Sequence, residues 1–358
     1  MTRPARAGID LPALRHNYQR ARQAAPHSRV MAIVKANAYG HGLVRVAQTL
    51  ADCDAFGVAC VEDAIALREA GCNRRIVLLE GIFSADELDQ VSIHALDTVI
   101  HHATQIAFLE QCRLTRPLDV WVKVDTGMHR LGFDAAAVPA AVNRLRGIGN
   151  IATIRFLTHF ACADDVHNDY TRQQSERFGL ATERLAGERS LANSAAVLGW
   201  PEMHHDWVRP GIMLYGGSPL SRRSAGELGL QPVMTLGTRL IAINTHQKGA
   251  AVGYGGDWIC PETMPVGVAA IGYGDGYPRH APTGTPVLLH GKRAALIGRV
   301  SMDMICIDLR THPGVKVGDP VTLWGEGMPV DEIAERCGTI SYELLCGVNR
   351  RVQFDYLE

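Results

Sequence analysis

A lysine directly follows a run of apolar residues near the start of the chain. The run Val30–Val34 has no polar interruption, which is typical of a strand buried on both faces of a parallel sheet, and Lys35 comes next. A buried ammonium is costly unless it is paired or has a chemical role, and a desolvated lysine readily becomes a nucleophile. The alternative, a strand-end lysine that simply reaches solvent, stays open on this stretch alone.

Polar and basic side chains also follow later apolar runs. The residues at these positions are Lys123, Asp125, Arg130, His159, Asn193, Ser194, Arg209, Gly211 and Ile212. Each of these residues also has a purely structural interpretation. Arg130 could form a surface ion pair, His159 could be a core histidine, and Asn193 could cap a helix. Together with Lys35, however, they provide two lysines, two arginines, one histidine and only one acid, a combination that favours phosphate binding.

The phosphate hypothesis becomes specific if these runs are strands of a barrel. In (β/α)₈ barrels, phosphates bind to the loops after the seventh and eighth strands, against a helix N-terminus. Ser194 offers a hydroxyl and backbone N–H groups there, and Gly211 lets the backbone approach an oxygen closely. A lysine on the first strand that faces such a site suggests a Schiff base with a phosphorylated aldehyde, pyridoxal phosphate (PLP).

The elements that must position these residues alternate regularly. Helix-like stretches such as Val61–Ala70 and Thr171–Ala186 separate the apolar runs, and Asp10 is a candidate N-cap for a first helix. The eight strand candidates are Val30–Val34, Ala55–Ala59, Ile76–Leu79, Thr98–Ile100, Val120–Val124, Ile151–Leu157, Ser190–Ala192 and Val208–Tyr215. We predict an α/β fold whose N-terminal part is a (β/α)₈ TIM-type barrel, with a doubly wound open sheet as the competing architecture. The count of eight depends on the two weakest candidates, Thr98–Ile100 and Ser190–Ala192.

The alternation of strand-like and helix-like patterns ends after Ser218. Short β-type runs punctuated by Gly and Pro follow, from Leu236–Thr245 to Pro320–Leu323, and helical patterns return only at Val330–Cys337 and Tyr342–Gly347. We therefore predict two domains, a barrel over residues 1–225 and a mainly-β domain over 226–358. Residues 1–10 are a candidate for pairing with the second domain.

The composition limits which classes of binding partner, and which cellular compartment, we expect for the protein. The formal net charge of −1 gives no electrostatic case for nucleic acid or a membrane surface as a partner. No apolar run reaches the ~18 residues of a membrane span, and the N-terminus lacks the apolar segment of a signal peptide. Nine cysteines without a C-x-x-C pair are typical of reduced thiols in a cytoplasmic protein and do not indicate a metal site.

Eight motifs in order along the chain resemble those of one enzyme family. They are VKANAYGHG, KVDTGMHRLGF, THFACADD, ANSAA, RPGIMLYG, VGYGGDW, IGYGDGYPR and GRVSMDM. This set is similar to that of the alanine racemases, fold-type III PLP enzymes with a (β/α)₈ barrel and a C-terminal β-domain. The resemblance covers nearly the whole chain and implies reversible interconversion of L- and D-alanine, either to supply peptidoglycan or to catabolise D-alanine.

The resemblance implies two catalytic bases. Lys35 would carry PLP covalently and act as one base, and Tyr254 matches the second. In the family, this tyrosine comes from the other subunit, so the implied active unit is a homodimer with shared active sites. Read without the family, Tyr254 is an aromatic in a glycine-rich turn, which more often packs than reacts.

The other implied roles divide by ligand. PLP would be held by Arg209 at the ring nitrogen with His159 behind it, and near its phosphate by Tyr39, Asn193, Ser194, Gly211 and Ile212. Substrate would meet Arg130 and, from the partner subunit, the equivalents of Met302 and Asp303. Supporting or access-channel positions are Lys123, which is carbamylated in some members, Tyr273, Arg279, Arg299 and Arg350, which falls where some members have a phosphate-binding tyrosine.

Three other functions compete with an alanine racemase. A non-enzymatic PLP-binding barrel protein shares the lysine but is single-domain and lacks the second-base tyrosine. A decarboxylase of the same fold type usually has a catalytic cysteine and a glycine-rich phosphate motif, for which this chain has no convincing equivalent. A serine or broad-specificity racemase is the most serious alternative, although the exported broad-specificity enzymes usually carry a signal peptide.

Overall fold

Eight parallel strands close into a barrel in the N-terminal part of the chain. The computed structural model describes residues 3–358. The strands, in order around the barrel, are Asp97–Ile100, Arg75–Leu78, Ala55–Val58, Arg29–Ile33, Trp207–Arg209, Arg189–Asn193, Ile151–Leu157 and Leu118–Asp125. The last of these pairs back to Asp97–Ile100, which closes the barrel. The predicted barrel is thus confirmed and the open sheet is excluded, since both weak strand candidates are strands within it.

The predicted eighth strand, Val208–Tyr215, is wrong in its length. The strand ends at Arg209, and Ile212–Tyr215 forms a 3₁₀ turn. Pro210 has no N–H for the ladder, and Gly211 adopts a backbone conformation outside the strand region, with φ −122° and ψ −96°. The apolar residues of this run are buried in a turn, which a hydrophobic pattern alone does not distinguish from a strand.

Helices cover the outside of the barrel. They are Leu11–Ala24, Leu43–Thr49, Val61–Glu69, Glu87–Ile93, Ala103–Gln111, Val138–Arg146, Tyr170–Thr182 and Ser194–Gly199. The Asp10 carboxylate accepts a hydrogen bond from the Ala13 N–H at 2.7 Å, which confirms it as an N-cap. The predicted helix Thr171–Ala186 ends earlier, at Thr182, whose hydroxyl bonds back to the carbonyl of Phe178.

The second sheet is mainly antiparallel and follows the barrel in the chain. Its strand order is Met264–Ala269, Ile305–Asp308, Lys292–Ile297, Pro286–Leu289, Pro320–Trp324, Met234–His246, Arg6–Asp10 and Gln353–Leu357. Met264–Ala269 also pairs with Met234–His246, so six of these strands close on themselves. Arg6–Asp10 lies between two strands from the C-terminal part of the chain.

Short elements complete the C-terminal part. A two-stranded hairpin joins Ala251–Val252 to Trp258–Ile259, and the helices Val330–Arg336 and Ser341–Gly347 pack beside the barrel. A Cβ atom added to Gly40 would lie 2.2 Å from the carbonyl oxygen of Leu345, so the helix Ser341–Gly347 touches the loop that follows Lys35. Among residues 3–358, no helix has the length and apolar character needed to cross a membrane.

Candidate active site

A cavity of about 460 Å³ opens at the carboxyl ends of the barrel strands. It brings together ten of the residues predicted from the sequence: Lys35, Tyr39, Lys123, Arg130, His159, Asn193, Ser194, Arg209, Gly211 and Ile212. Ile33, Leu79, Glu80, Leu131, Leu157 and Tyr342 complete the wall. The basic residues predicted from separate strand ends therefore share one cavity.

Lys35 sits at the edge between core and cavity. The strand Arg29–Ile33 leads into it, and the side chain is 40% exposed. Its Nζ atom is 4.0 Å from Oε1 of Glu80, the only acid in the cavity wall. The amine is thus neither locked in a buried ion pair nor free on the surface, and a molecule in the cavity can reach it.

Lys123 lies deeper in the same cavity. It is 9% exposed, and burial together with the nearby charges of Arg209, Arg130 and Lys35 lowers the pKa of Lys123 from 10.5 to about 8. This lysine therefore holds its proton weakly, first because it is buried and second because the cavity has an excess of positive charge.

Arg209 is fixed in the barrel by hydrogen bonds to main chain and side chain. One terminal nitrogen donates to the carbonyl and the hydroxyl of Ser190 at 2.8 and 2.7 Å, and the other donates to the carbonyl of Thr158 at 2.7 Å. Burial lowers the pKa of Arg209 to about 10, so the guanidinium remains charged at neutral pH. The guanidinium is consequently a rigid, permanent donor on the cavity wall.

His159 lies beside that guanidinium. Its Nδ1 is 3.4 Å from a terminal nitrogen of Arg209, and it accepts this contact because the guanidinium can only donate. Burial, followed by the charge of Arg209, lowers the pKa of His159 well below its ordinary value. The imidazole is therefore neutral.

The opposite end of the cavity provides donors for an anion. The Ser194 hydroxyl oxygen accepts a hydrogen bond from the Gly211 N–H at 2.7 Å, which leaves the hydroxyl proton free to donate. Asn193 caps the helix Ser194–Gly199 through the Ala196 N–H. A Cβ atom added to Gly211 would lie 2.5 Å from the Tyr39 hydroxyl, so this position has no room for a side chain.

The C-terminal residue in this cavity is Tyr342, which the sequence reasoning missed. It lies on the helix Ser341–Gly347, and its ring centroid is 5.9 Å from that of Tyr39. Arg350, which is predicted to fall where some members have a phosphate-binding tyrosine, is exposed in a turn and does not line the cavity of its own chain. Tyr342 lies four positions before residues 346–351, where the tyrosine was expected, and it reaches the cavity because the helix Ser341–Gly347 docks on the barrel.

The other predicted site residues lie outside the cavity of their own chain. Tyr254 is 66% exposed and Met302 52% exposed. Arg299 pairs with Asp257 beside the turn that carries Tyr254, and Asp303 pairs with Arg351. Tyr273 is exposed next to the Ser301–Met302 backbone, to which its N–H donates, and Arg279 is also exposed. This group forms a surface of the C-terminal part of the chain.

Comparisons with known proteins agree on one family. The model for the alanine racemase N-terminal domain matches residues 9–219, and that for the alanine racemase C-terminal domain matches residues 233–356. The chain belongs to the alanine racemase family. An alanine racemase of Nitrosococcus oceani is 54% identical over 96% of this chain and 97% of its own length, and one of Coxiella burnetii is 49% identical over 99% of each.

Solved alanine racemase structures share the whole architecture. The biosynthetic alanine racemase from Pseudomonas aeruginosa superposes with a TM-score of 0.97, at 50% identity and over 100% of both chains. The alanine racemase from Acinetobacter baumannii has a TM-score of 0.94 at 40% identity, over 99% of this chain and 100% of that one. The family and fold inferred from the motifs are therefore confirmed.

Two kinds of cavity residue escaped the sequence reasoning in this alanine racemase family member. Leu79 and Glu80 directly follow the strand Arg75–Leu78. Leu79 was placed inside the predicted strand Ile76–Leu79, and no site residue was assigned to the end of that strand, although Glu80 comes next. Tyr342 carries no such signal, because it reaches the cavity from a helix of the C-terminal part.

Proposed function

We propose that the protein is a PLP-dependent alanine racemase that interconverts L- and D-alanine. The observation that carries this proposal is the convergence, on one cavity, of an accessible lysine, a buried arginine and a set of hydroxyl and backbone donors. These are the groups that a phosphorylated aldehyde needs at its carbonyl, its ring and its phosphate.

The residues of the cavity fit PLP end to end. Lys35 would bind the aldehyde carbon, and Arg209 would face the ring nitrogen with His159 behind it. Tyr39, Ser194, the Gly211 backbone and Ile212 would surround the phosphate, with Asn193 holding the adjoining helix. The close approach between Gly211 and the Tyr39 hydroxyl supports this, because a side chain there would fill the space that a phosphate oxygen requires.

The residues of the chain would handle the substrate and its proton. When bound, PLP supplies an electron-withdrawing ring that stabilises negative charge on the α-carbon of an amino acid. Arg130 would orient the substrate carboxylate, and Lys35 would remove or return the α-proton from one side. Because Arg209 stays protonated, it would donate a hydrogen bond to the ring nitrogen without giving up its proton, which would limit side reactions such as transamination.

A second base is needed on the opposite face, and Tyr254 is our candidate. Its exposure, with that of Met302 and the position of Asp303, supports a homodimer in which these residues complete the cavity of the other subunit. Two bases on opposite faces suit racemisation, since one removes the proton and the other returns it. Tyr273, Arg279 and Arg299 would then line the access channel.

The proposal also covers the cellular compartment and the alternative substrates. All nine cysteines are free thiols, which supports a reducing compartment and hence the cytoplasm. Among the alternatives, the serine or broad-specificity racemase would use the same cavity.

The deciding experiment measures racemisation of alanine, serine and lysine by the purified protein, with the absorption spectrum recorded in parallel. We expect a band near ~420 nm from a protonated Schiff base, and the highest rate with alanine. A serine rate equal to or above that of alanine would overturn the substrate assignment. Absence of the band after addition of PLP would overturn the cofactor assignment.

A further inference from the structure

The loop that follows Lys35 is a left-handed turn made mostly of residues other than glycine. Ala36, Asn37 and Ala38 have φ of 54°, and Tyr39 has φ of 52°, before Gly40 continues at 82°. A left-handed conformation costs roughly 1–2 kcal/mol for most residues with a Cβ atom, and less for asparagine. Such a run persists only when surrounding contacts impose it, and here it joins the lysine to the tyrosine at the other end of the cavity.

Backbone hydrogen bonds stabilise the turn but do not satisfy its end. The N–H groups of Ala38, Gly40 and Gly42 donate to carbonyls of Val34, Ala36 and Asn37 at 2.8 to 3.0 Å. The carbonyl of Ala38 accepts from the backbone N–H groups of Gly40 and His41, whereas that of Tyr39 has no backbone donor in the part of the chain that the structure describes. The Tyr39 carbonyl is therefore the group at the end of the turn that needs a cap.

The side chain of His41 supplies that cap. Its Nδ1 lies 2.9 Å from the carbonyl oxygen of Tyr39 and 3.1 Å from that of Ala38. Because both partners can only accept, Nδ1 must carry the proton. The imidazole is fully buried, and burial lowers the pKa of His41 to about 4, so it stays neutral with a fixed tautomer.

The ring of His41 also links the turn to the barrel. It packs on Tyr215 with centroids 4.6 Å apart, and Tyr215 stacks in turn on Tyr39 at 4.7 Å. The Tyr215 hydroxyl donates to the carbonyl of Ile33 at 2.9 Å, on the strand that delivers Lys35. One buried stack therefore contacts both the start and the end of the turn.

We propose that His41 is a positioning residue that caps the left-handed turn and thereby fixes the spacing between the Lys35 amine and the Tyr39 hydroxyl. His41 does not reach the cavity, so it acts only through the turn. The consequence for PLP rests on the proposed function, whereas the consequence for the turn itself does not.

Two substitutions test the Nδ1–H donor and the aromatic ring of His41 separately. His41→Phe keeps the stacking surface and removes the N–H, whereas His41→Asn removes the ring and places an amide N–H where Nδ1 stood. His312→Phe is the matched control, because His312 is also buried but belongs to the C-terminal part, where its Nδ1 forms a hydrogen bond with the Thr311 hydroxyl. All three are compared with the wild type as full-length protein.

The first measurement is the affinity for PLP after its removal and re-addition. We expect His41→Phe to bind PLP about ten- to a hundredfold more weakly, the effect of an unmade buried hydrogen bond, with His41→Asn and His312→Phe near the wild type. Unchanged affinity in His41→Phe would overturn the proposal. If the wild type itself does not bind PLP, the proposed function fails, and the second measurement decides the inference.

The second measurement is hydrogen exchange of the amides in residues 36–43. We expect exchange there to be about tenfold faster in His41→Phe than in the wild type and unchanged in His312→Phe. Protection equal to the wild type in His41→Phe would contradict the cap. If His41→Phe does not fold, His41→Asn decides: retained protection supports the cap, and lost protection despite its N–H overturns it.

Discussion

The two ends of the barrel carry similar residues in opposite arrangements. At the amino end, Arg75 pairs with Asp97 and Asp119 at 2.5 and 2.7 Å, and Arg155 pairs with Asp119 and Glu188 at 3.0 and 2.7 Å. Indole N–H groups add to this network, since Trp121 donates to Asp97 and Trp207 to Glu188. Each of these charged side chains has a partner of opposite charge, so this layer has a structural role at the amino end of the barrel.

The carboxyl end leaves its charges uncompensated. Lys35, Lys123, Arg130 and Arg209 share a cavity with the single carboxylate of Glu80, which is 4.0 Å from Lys35. Uncompensated charge lowers stability but attracts an anionic ligand. The comparison teaches that pairing, more than the presence of charged residues, separates a structural layer from a binding site.

The largest expected effect concerns the second base at the binding end. We expect Tyr254→Phe to lower the racemisation rate about 10²–10⁴-fold, the usual contribution of a positioned proton donor or acceptor. Exchange of the α-proton in deuterated water, followed separately for L- and D-alanine, should fall steeply for one enantiomer and little for the other. Equal losses for both enantiomers would contradict the assignment of opposite faces.

The substitution Arg155→Met removes one arginine from the ion-pair network at the amino end of the barrel. Arg155 has a side-chain exposure of 8%, so its removal leaves carboxylates without their buried partner and should lower the free energy of unfolding by about 3 kcal/mol or more. Urea unfolding of the PLP-free protein measures this, while the racemisation rate of folded protein should be unchanged. If Arg155→Met lost activity without losing stability, the distinction between a structural amino end and a binding carboxyl end would be wrong.

Lys123→Met is the reciprocal substitution at the unpaired end. Since the pKa of Lys123 falls from 10.5 to about 8 on folding, its charged form is disfavoured in the folded state, and its replacement should stabilise the PLP-free protein at pH 7 by on the order of 3 kcal/mol. We expect activity to fall, because the cavity loses a charge beside Arg130.

The pH dependence of that gain has a definite sign. Between the folded and the ordinary pKa, the unfolded chain binds more protons at Lys123, so wild-type stability rises with pH. The advantage of Lys123→Met should therefore be complete below pH 8 and disappear by about pH 10.5. Destabilisation by this variant at pH 7 would show that Lys123 is favourably paired, as the amino-end arginines are.

The smallest effect compares two C-terminal residues. If Tyr342 contacts the phosphate of PLP, Tyr342→Phe removes one hydrogen bond to a charged group and should weaken PLP binding by about tenfold. Arg350→Ala should leave the affinity unchanged, because Arg350 does not line the cavity. A larger effect from Arg350→Ala than from Tyr342→Phe, measured by titration with PLP, would reverse our placement.

Much of the binding end could be predicted because it follows one rule of the fold. Lys35, His159 and Arg209 come at or just after strands of the barrel, and parallel strands bring their carboxyl ends to one rim. Mainly apolar runs, uninterrupted before Lys35, made those strands visible in the sequence. The paired amino end was not predicted, because Arg75, Asp119 and Arg155 lie within or at the start of strands and find their partners only across the closed barrel.

Other features depend on tertiary contacts that the sequence does not display. Nothing in the types of Ala36, Ala38 or Tyr39 favours positive φ, so the left-handed turn exists because its neighbours impose it. Tyr342 reaches the cavity from a separate helix, and the Ile212–Tyr215 turn is as apolar as a strand. Local patterns specify elements, but they do not specify which elements dock on the cavity.

The central claim is that Lys35, not Lys123, binds PLP covalently. Lys123 has a lowered pKa, which favours nucleophilic reactivity, but its side chain is buried, whereas Lys35 is open to the cavity. Borohydride reduction of the PLP-loaded protein, followed by mass mapping of its peptides, identifies the attached lysine. We predict the added mass on the peptide that contains Lys35; its appearance on the Lys123 peptide, or on neither, would contradict this account.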